Sequence, residues 1–141
     1  MRFLTLEGGA FELEAAKTLH LQSGERPAAY HVIFDQVVAL VTEGKLDCAC
    51  IKASGLSLVG MKMAHLEAAE LRGVVQAACA SACTVQLVNK ANVSRNFGGR
   101  NVDAYLKDDS FWKDQGLGNL PKGKREAAFQ VMACFATNAG K

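Results

Sequence analysis

Leu46-Asp47-Cys48-Ala49-Cys50-Ile51-Lys52-Ala53 is the stretch on which the fold turns. It is short, largely apolar and bounded by polar turns, with no solvent-facing alternation until Lys52. It therefore reads as a strand buried on both faces, as parallel strands in α/β sheets are. The expectation is a mixed five-stranded sheet with Leu46–Ala53 at its centre and helices packed on it.

The flanking sequence supports an α/β order. Before the strand, Ile33, Val37, Leu40 and Val41 recur at helical spacing until Gly44 supplies a C-cap. After it, 54–60 is a glycine- and serine-containing loop, and Lys62–Ala82 is the longest helical segment, rich in Ala, Leu, Met and Glu. Ala68-Ala69, Gly73 and Ala77-Ala78 leave little side chain on that helix, so a neighbouring element or a second copy of the chain can approach closely. Thr84–Val88 reads as the next strand. Upstream, Arg2–Leu6 is a strand stopping at Glu7-Gly8-Gly9. Ala10–Ala16 alternates Phe11, Leu13 and Ala15 against Glu12, Glu14 and Ala16, and Thr18–Gln22 repeats the pattern with Leu19 and Leu21. Three antiparallel strands thus open the chain. Downstream, 89–122 is loop-rich, with short helical turns at Val102–Leu106 and Ser110–Lys113. Lys124–Ala136 closes as a helix with Ala128, Val131, Met132 and Phe135 on one stripe.

Length and composition bound the function classes. At 141 residues, 50% hydrophobic and 21% charged, residues 1–141 have the size and balance of a single packed domain. Glu7 interrupts the N-terminus too early for a signal peptide and no run reaches transmembrane length, so a cytoplasmic protein without membrane contact is expected. Five cysteines, an odd number in a chain with a full-sized core, read as reduced thiols. The net charge of +2 announces no partner. The last third is mildly basic, with Lys90, Arg95, Arg100, Lys107, Lys113, Lys122, Lys124, Arg125 and Lys141, which an ordinary solvated surface also explains.

Three strands, helix, strand, helix, strand, helix is the order of RNase H-like domains, and Glu70-Leu71-Arg72-Gly73-Val74-Val75 resembles the Gln-Ala-Arg-Gly-Val segment of RuvC resolvases. The chain is also similar to a family of uncharacterised bacterial proteins of RuvC-like fold. In that family an early strand ends in Glu, a Phe-Lys-Met-Glu-like segment precedes the central helix, and the last helix carries an Ala-Phe pair. Glu7, Met61-Lys62-Met63 and Glu126-Ala127-Ala128-Phe129 stand at the matching places.

The resemblance implies a carboxylate site for two magnesium or manganese ions, one activating water and one stabilising the leaving oxygen of a phosphoryl displacement. Glu7 matches the first-strand acid, usually Asp in active members, and Glu126 matches the last-helix acid. These two are the candidate catalytic and metal-binding residues if the protein is active. The strand from Leu46 should supply a further acid at its C-terminal end, but Ile51-Lys52-Ala53-Ser54 offers a lysine, a cation where a metal ligand belongs. Plainer readings exist, with Glu7 as a turn residue and Glu126 as a helix-start charge favoured by the macrodipole. Glu67 and Glu70 lie on one face of the central helix but are explained as solvated charges.

The remaining constellations are weaker. His20, His31 and His65 form no zinc-type pair, Cys48/Cys50 and Cys79/Cys83 lack a completing His, and Ser54, Ser57 and Ser81 sit in no nucleophile elbow. Gly116-x-Gly118 ahead of Pro121-Lys122-Gly123-Lys124-Arg125 has the look of a phosphate-binding turn without P-loop spacing. Lys52, Lys122, Lys124 and Arg125 are accordingly the candidate contacts for nucleic acid or another anion. Three functions remain: a catalytically degenerate binding or assembly module needing no cofactor, possible as a homodimer and with nucleic acid as a possible partner; a magnesium- or manganese-dependent nuclease acting on structured DNA or RNA; and a small-molecule or peptide-binding α/β domain.

Overall fold

A computed structural model describes residues 2–7, 10–55, 60–89 and 100–139, with side chains described over 17–55, 60–89 and 100–134. Strands β1 (Arg2–Glu7) and β2 (Ala10–Ala16) pair antiparallel, with Phe3 opposite Ala15, Leu6 opposite Phe11 and Glu7 opposite Ala10, and with an irregularity between Phe3 and Thr5. The Gly8-Gly9 turn lies outside the described residues. Next come α1 (Arg26–Glu43), β3 (Cys48–Lys52), α2 (Met63–Ala80) and β4 (Thr84–Val88), then α3 (Val102–Lys107), α4 (Asp109–Asp114) and α5 (Lys122–Ala139). They gather into two compact units, one drawn from Met1–Thr18 and Val88–Lys141, the other from Leu19–Leu87.

The first unit is held by aromatic packing. Val102, Tyr105, Trp112, Leu117, Leu120, Phe129 and Met132 are buried together, with Trp112 and Phe129 fully enclosed. The Tyr105 and Phe129 rings stack with centroids 4.9 Å apart, and Trp112 Nε1 donates to the Tyr105 carbonyl at 2.9 Å. The two short helices form where the sequence supplies caps. Asn101 Oδ1 accepts from the Asp103 N–H at 2.8 Å, and Asp108 Oδ1 accepts from the Phe111 N–H at 3.1 Å, each satisfying a donor the first turn leaves free. Helix α5 lies against β1 and α3.

The second unit is a helix pair with a β–α–β segment. Ala29, Ile33, Val37 and Val41 recur every fourth residue and form the buried stripe of α1, which faces α2. Pro27 sits in the first turn, where its missing N–H costs nothing. Gly44 is the C-cap with a right-handed φ of −75°. Glycine is needed there for space, because a Cβ would stand 2.9 Å from the Leu40 carbonyl oxygen. Strands β3 and β4 are hydrogen-bonded neighbours, parallel through the α2 crossover.

Two expectations are corrected. Thr18–Gln22 forms no strand; it is irregular, and Leu21 is 42% exposed, so its alternation meets no partner and no core. Strand β3 is not buried on both faces, since Cys48 and Lys52 are exposed and Ala49–Ile51 half-buried. Among the described residues the strands number four and pair two by two, where five in one sheet were expected. The five cysteines are free thiols, but Cys48 is exposed and only Cys79 and Cys134 are fully buried. Among the described residues no helix is long and apolar enough to cross a membrane.

Candidate functional site

The two carboxylates singled out in the sequence belong to the same unit. Glu7 is the last residue of β1, in register with Ala10, and Glu126 is a half-buried residue of α5, the helix that lies against β1. The elements carrying the first-strand acid and the last-helix acid therefore touch. Glu126 stands past the first turn of α5, which holds no acidic residue, so the helix dipole gives it little support.

The C-terminal end of β3 has the opposite character. Lys52, its last residue, is exposed. Two residues on, Ser54 Oγ accepts a hydrogen bond from Arg72 Nη1 at 3.3 Å, so a helix guanidinium is held at the same strand end. No carboxylate is supplied by Cys48–Lys52 or by Ala53-Ser54-Gly55. Glu67 and Glu70 do not fill the gap, because both carboxylates on α2 are engaged by α1. Arg26 bonds Glu70 and lies 3.7 Å from Glu67, while Tyr30 donates its hydroxyl to Glu70 at 3.0 Å.

A pair of magnesium or manganese ions would polarise a phosphodiester and its attacking water, and needs three or four oxygen donors converging from strand ends and the last helix. Here the matching positions offer two glutamates and a lysine. Among the described residues no group of three His, Cys, Asp or Glu side chains is arranged to hold a metal.

The remaining cations divide into one committed residue and three others. Arg125 is 4% exposed; its guanidinium donates to the Leu106 carbonyl at 3.0 Å and to Asp109 Oδ1 at 2.8 Å, and lies over the Trp112 ring. That hydrogen bond, with the charge of Lys122 4.0 Å from the same oxygen, holds the Asp109 carboxyl below the usual carboxylate range. Arg125 is thus spent on tying α5 to the α3–α4 segment, and would have to break those bonds to meet an outside anion. Lys122 and Lys52 are exposed and Lys124 is half-buried. Sequence reasoning missed the Arg125–Asp109 tie, which joins residues far apart in sequence, and the placing of Arg72 beside Ser54.

No protein-family model and no curated protein matches the sequence. Among solved structures, the RuvC structure from Thermus thermophilus aligns with a TM-score of 0.69 over 97% of this chain and 87% of that chain, at 13% identity. The fold is RuvC-like, of the RNase H-like class.

Proposed function

We propose that the chain is a single RuvC-like domain that has left two-metal phosphoryl chemistry and works as a binding and assembly module, with nucleic acid as its anionic partner. One observation carries the reading: the end of β3, where a metal-binding acid belongs in active members of this fold, bears exposed Lys52 with Arg72 held nearby at Ser54. In open α/β sheets ligands gather at the carboxyl ends of strands. Two cations there favour a phosphate oxygen and disfavour a divalent ion. In the other unit, Lys122 and Lys124 give the start of α5 a basic character of its own.

Assembly is read from α2. Met63 and Leu66 are 65% and 46% exposed, and much of the rest of the first half of that helix is open as well, an apolar surface suited to a second copy. The five-stranded sheet of the fold belongs to this same reading, as does a role without a bound cofactor.

Titration calorimetry with magnesium and manganese tests the loss of catalysis; binding no tighter than about millimolar is expected. Fluorescence anisotropy with labelled branched and single-stranded DNA and RNA tests the partner. Lys52→Ala with Arg72→Ala should weaken binding about tenfold and lower the slope of log affinity against log salt by about one to two. Unchanged binding in that double variant removes the assigned contact. The nuclease alternative is favoured by one observation, the packing of the Glu126 helix against the Glu7 strand. Micromolar metal affinity, or cleavage abolished by Glu7→Gln, would put the nuclease first.

A further inference from the structure

One face of the β3–β4 pair carries two thiols side by side. Side chains alternate across a strand, so Cys48, Cys50 and Lys52 share one face of β3, with Ala49 and Ile51 on the other. The Thr84 N–H donates to the Asp47 carbonyl at 3.2 Å, which sets Thr84 opposite Cys48 and, two residues on, Gln86 opposite Cys50. The cysteines are thus flanked across the pair by polar side chains, and Cys83, one residue before Thr84, turns to the opposite face.

Residues two apart in a strand have Cα atoms about 6.6 Å apart, twice the rise per residue, and side chains leaning along the strand. Two sulfurs on such a spacing can converge on one ion between them. Exposure is graded along the pair: Cys48 is open to solvent and Cys50 is half-buried, so an ion has a way in and a partly shielded place to rest. Cys48 Sγ stands 3.9 Å from the Ala49 carbonyl oxygen, a weak donor contact that loss of its proton gives up. Cys79 and Cys83 have a different character. Cys79 is buried and its thiol is pushed up to about 11, chiefly by that burial, and burial raises Cys83 as well. Since the thiolate is the metal ligand, that pair is slower to become one.

We propose that Cys48 and Cys50 bind a single cuprous ion as a two-coordinate bis-thiolate. Thiolates select soft ions, and Cu(I), with its filled d shell, accepts a linear pair of sulfurs. Structural zinc asks for four donors, and among the described residues no group of three His, Cys, Asp or Glu side chains is arranged to hold a metal. On binding, two S–Cu bonds form, the two S–H protons pass to solvent, and the copper stays cuprous, so no electron moves. One positive charge against two thiolates leaves the unit anionic. Lys52, next on the same face, is placed to offset that charge.

The test is anaerobic titration of the reduced full chain with cuprous ion, in competition with a chromogenic cuprous chelator, followed by X-ray absorption at the copper edge. We expect one copper per chain and a shell of two sulfurs. Cys48→Ser and Cys50→Ser should each weaken binding by more than about a hundredfold, beyond what losing a hydrogen bond that supports a ligand costs. Cys79→Ser and Cys83→Ser should bind as the wild-type chain does. Stoichiometry and spectrum of the wild-type chain decide the matter even if a variant fails to fold. No uptake against the chelator, half a copper per chain, a shell of three or more donors, or binding kept in Cys50→Ser and lost in Cys83→Ser overturns the proposal.

Discussion

Helices α5 and α2 are both 18 residues long and both rich in alanine, yet they use their surfaces differently. Over its described side chains α5 buries Arg125, Ala128, Phe129, Met132, Ala133 and Cys134, whereas α2 buries only Ala78 and Cys79. Alanine content decides neither outcome. What separates them is where the large side chains stand: Phe129 and Met132 are spaced to meet Tyr105 and Trp112, while Met63 and Leu66 on α2 face solvent. Helix α5 is therefore a structural anchor, and α2 leaves Met63 and Leu66 exposed.

The comparison breaks first if the anchor proves dispensable. Phe129 is fully enclosed and stacks on Tyr105, so Phe129→Ala should cost about 3–5 kcal/mol through lost burial and the cavity left behind. Urea unfolding followed by tryptophan fluorescence measures it directly, because Trp112 is the single tryptophan. A loss under about 1 kcal/mol would mean that the site collapses around the smaller side chain, contrary to the packing described.

Arg125→Ala comes next, at about 1–3 kcal/mol, because the part-buried Leu106 carbonyl loses its donor and Trp112 loses a packed neighbour. Its partner supplies a pH dependence. Asp109 has its carboxyl lowered first by the hydrogen bond from Arg125 and then by Lys122, so its folded value lies below its unfolded one. The stabilisation is then fully present above the unfolded value, near pH 4, and is lost as pH falls through the folded value. Asp109→Asn should flatten that part of the acid limb in unfolding measured from pH 6 to pH 2. The effect is modest, since the carboxylate is 70% exposed and screened by solvent.

These residues also mark where sequence reading succeeds and stops. The order of helices and of β1 to β4 was legible because each rests on local periodicity and on breakers such as Gly44 and Pro121. The turns at Val102–Leu106 and Ser110–Lys113 emerged as α3 and α4, and their caps, Asn101 and Asp108, went unread in the sequence. Thr18–Gln22 failed because alternation states only that a strand would have an apolar face, and not that anything covers it. Strand β3 was misjudged for a related reason: an apolar run registers composition, while burial depends on neighbours elsewhere in the chain. For the candidate site, Lys52 was legible as a cation at a strand end. Its companion Arg72 and the commitment of Arg125 to Asp109 were not, because side-chain reach across separations of 18 and 16 residues leaves no local periodicity.

The smallest expected effect on stability is also the sharpest test of α2. Leu66 is 46% exposed, and Met63 is more exposed still. Replacing either with lysine removes little packing, so Met63→Lys and Leu66→Lys should each change unfolding free energy by no more than about 0.5 kcal/mol. A helix whose first half only dresses the surface would show nothing further. A helix that receives a second copy would lose association, because two lysines meeting across a two-fold interface would carry like charges into an apolar contact. Sedimentation equilibrium over a range of protein concentrations separates the two. We expect the wild-type chain to dimerise and both variants to remain monomeric, with a melting temperature that no longer rises with protein concentration. A wild-type chain monomeric at all concentrations removes α2 as an assembly surface. A destabilisation near that of Phe129→Ala would show instead that α2 is as much an anchor as α5.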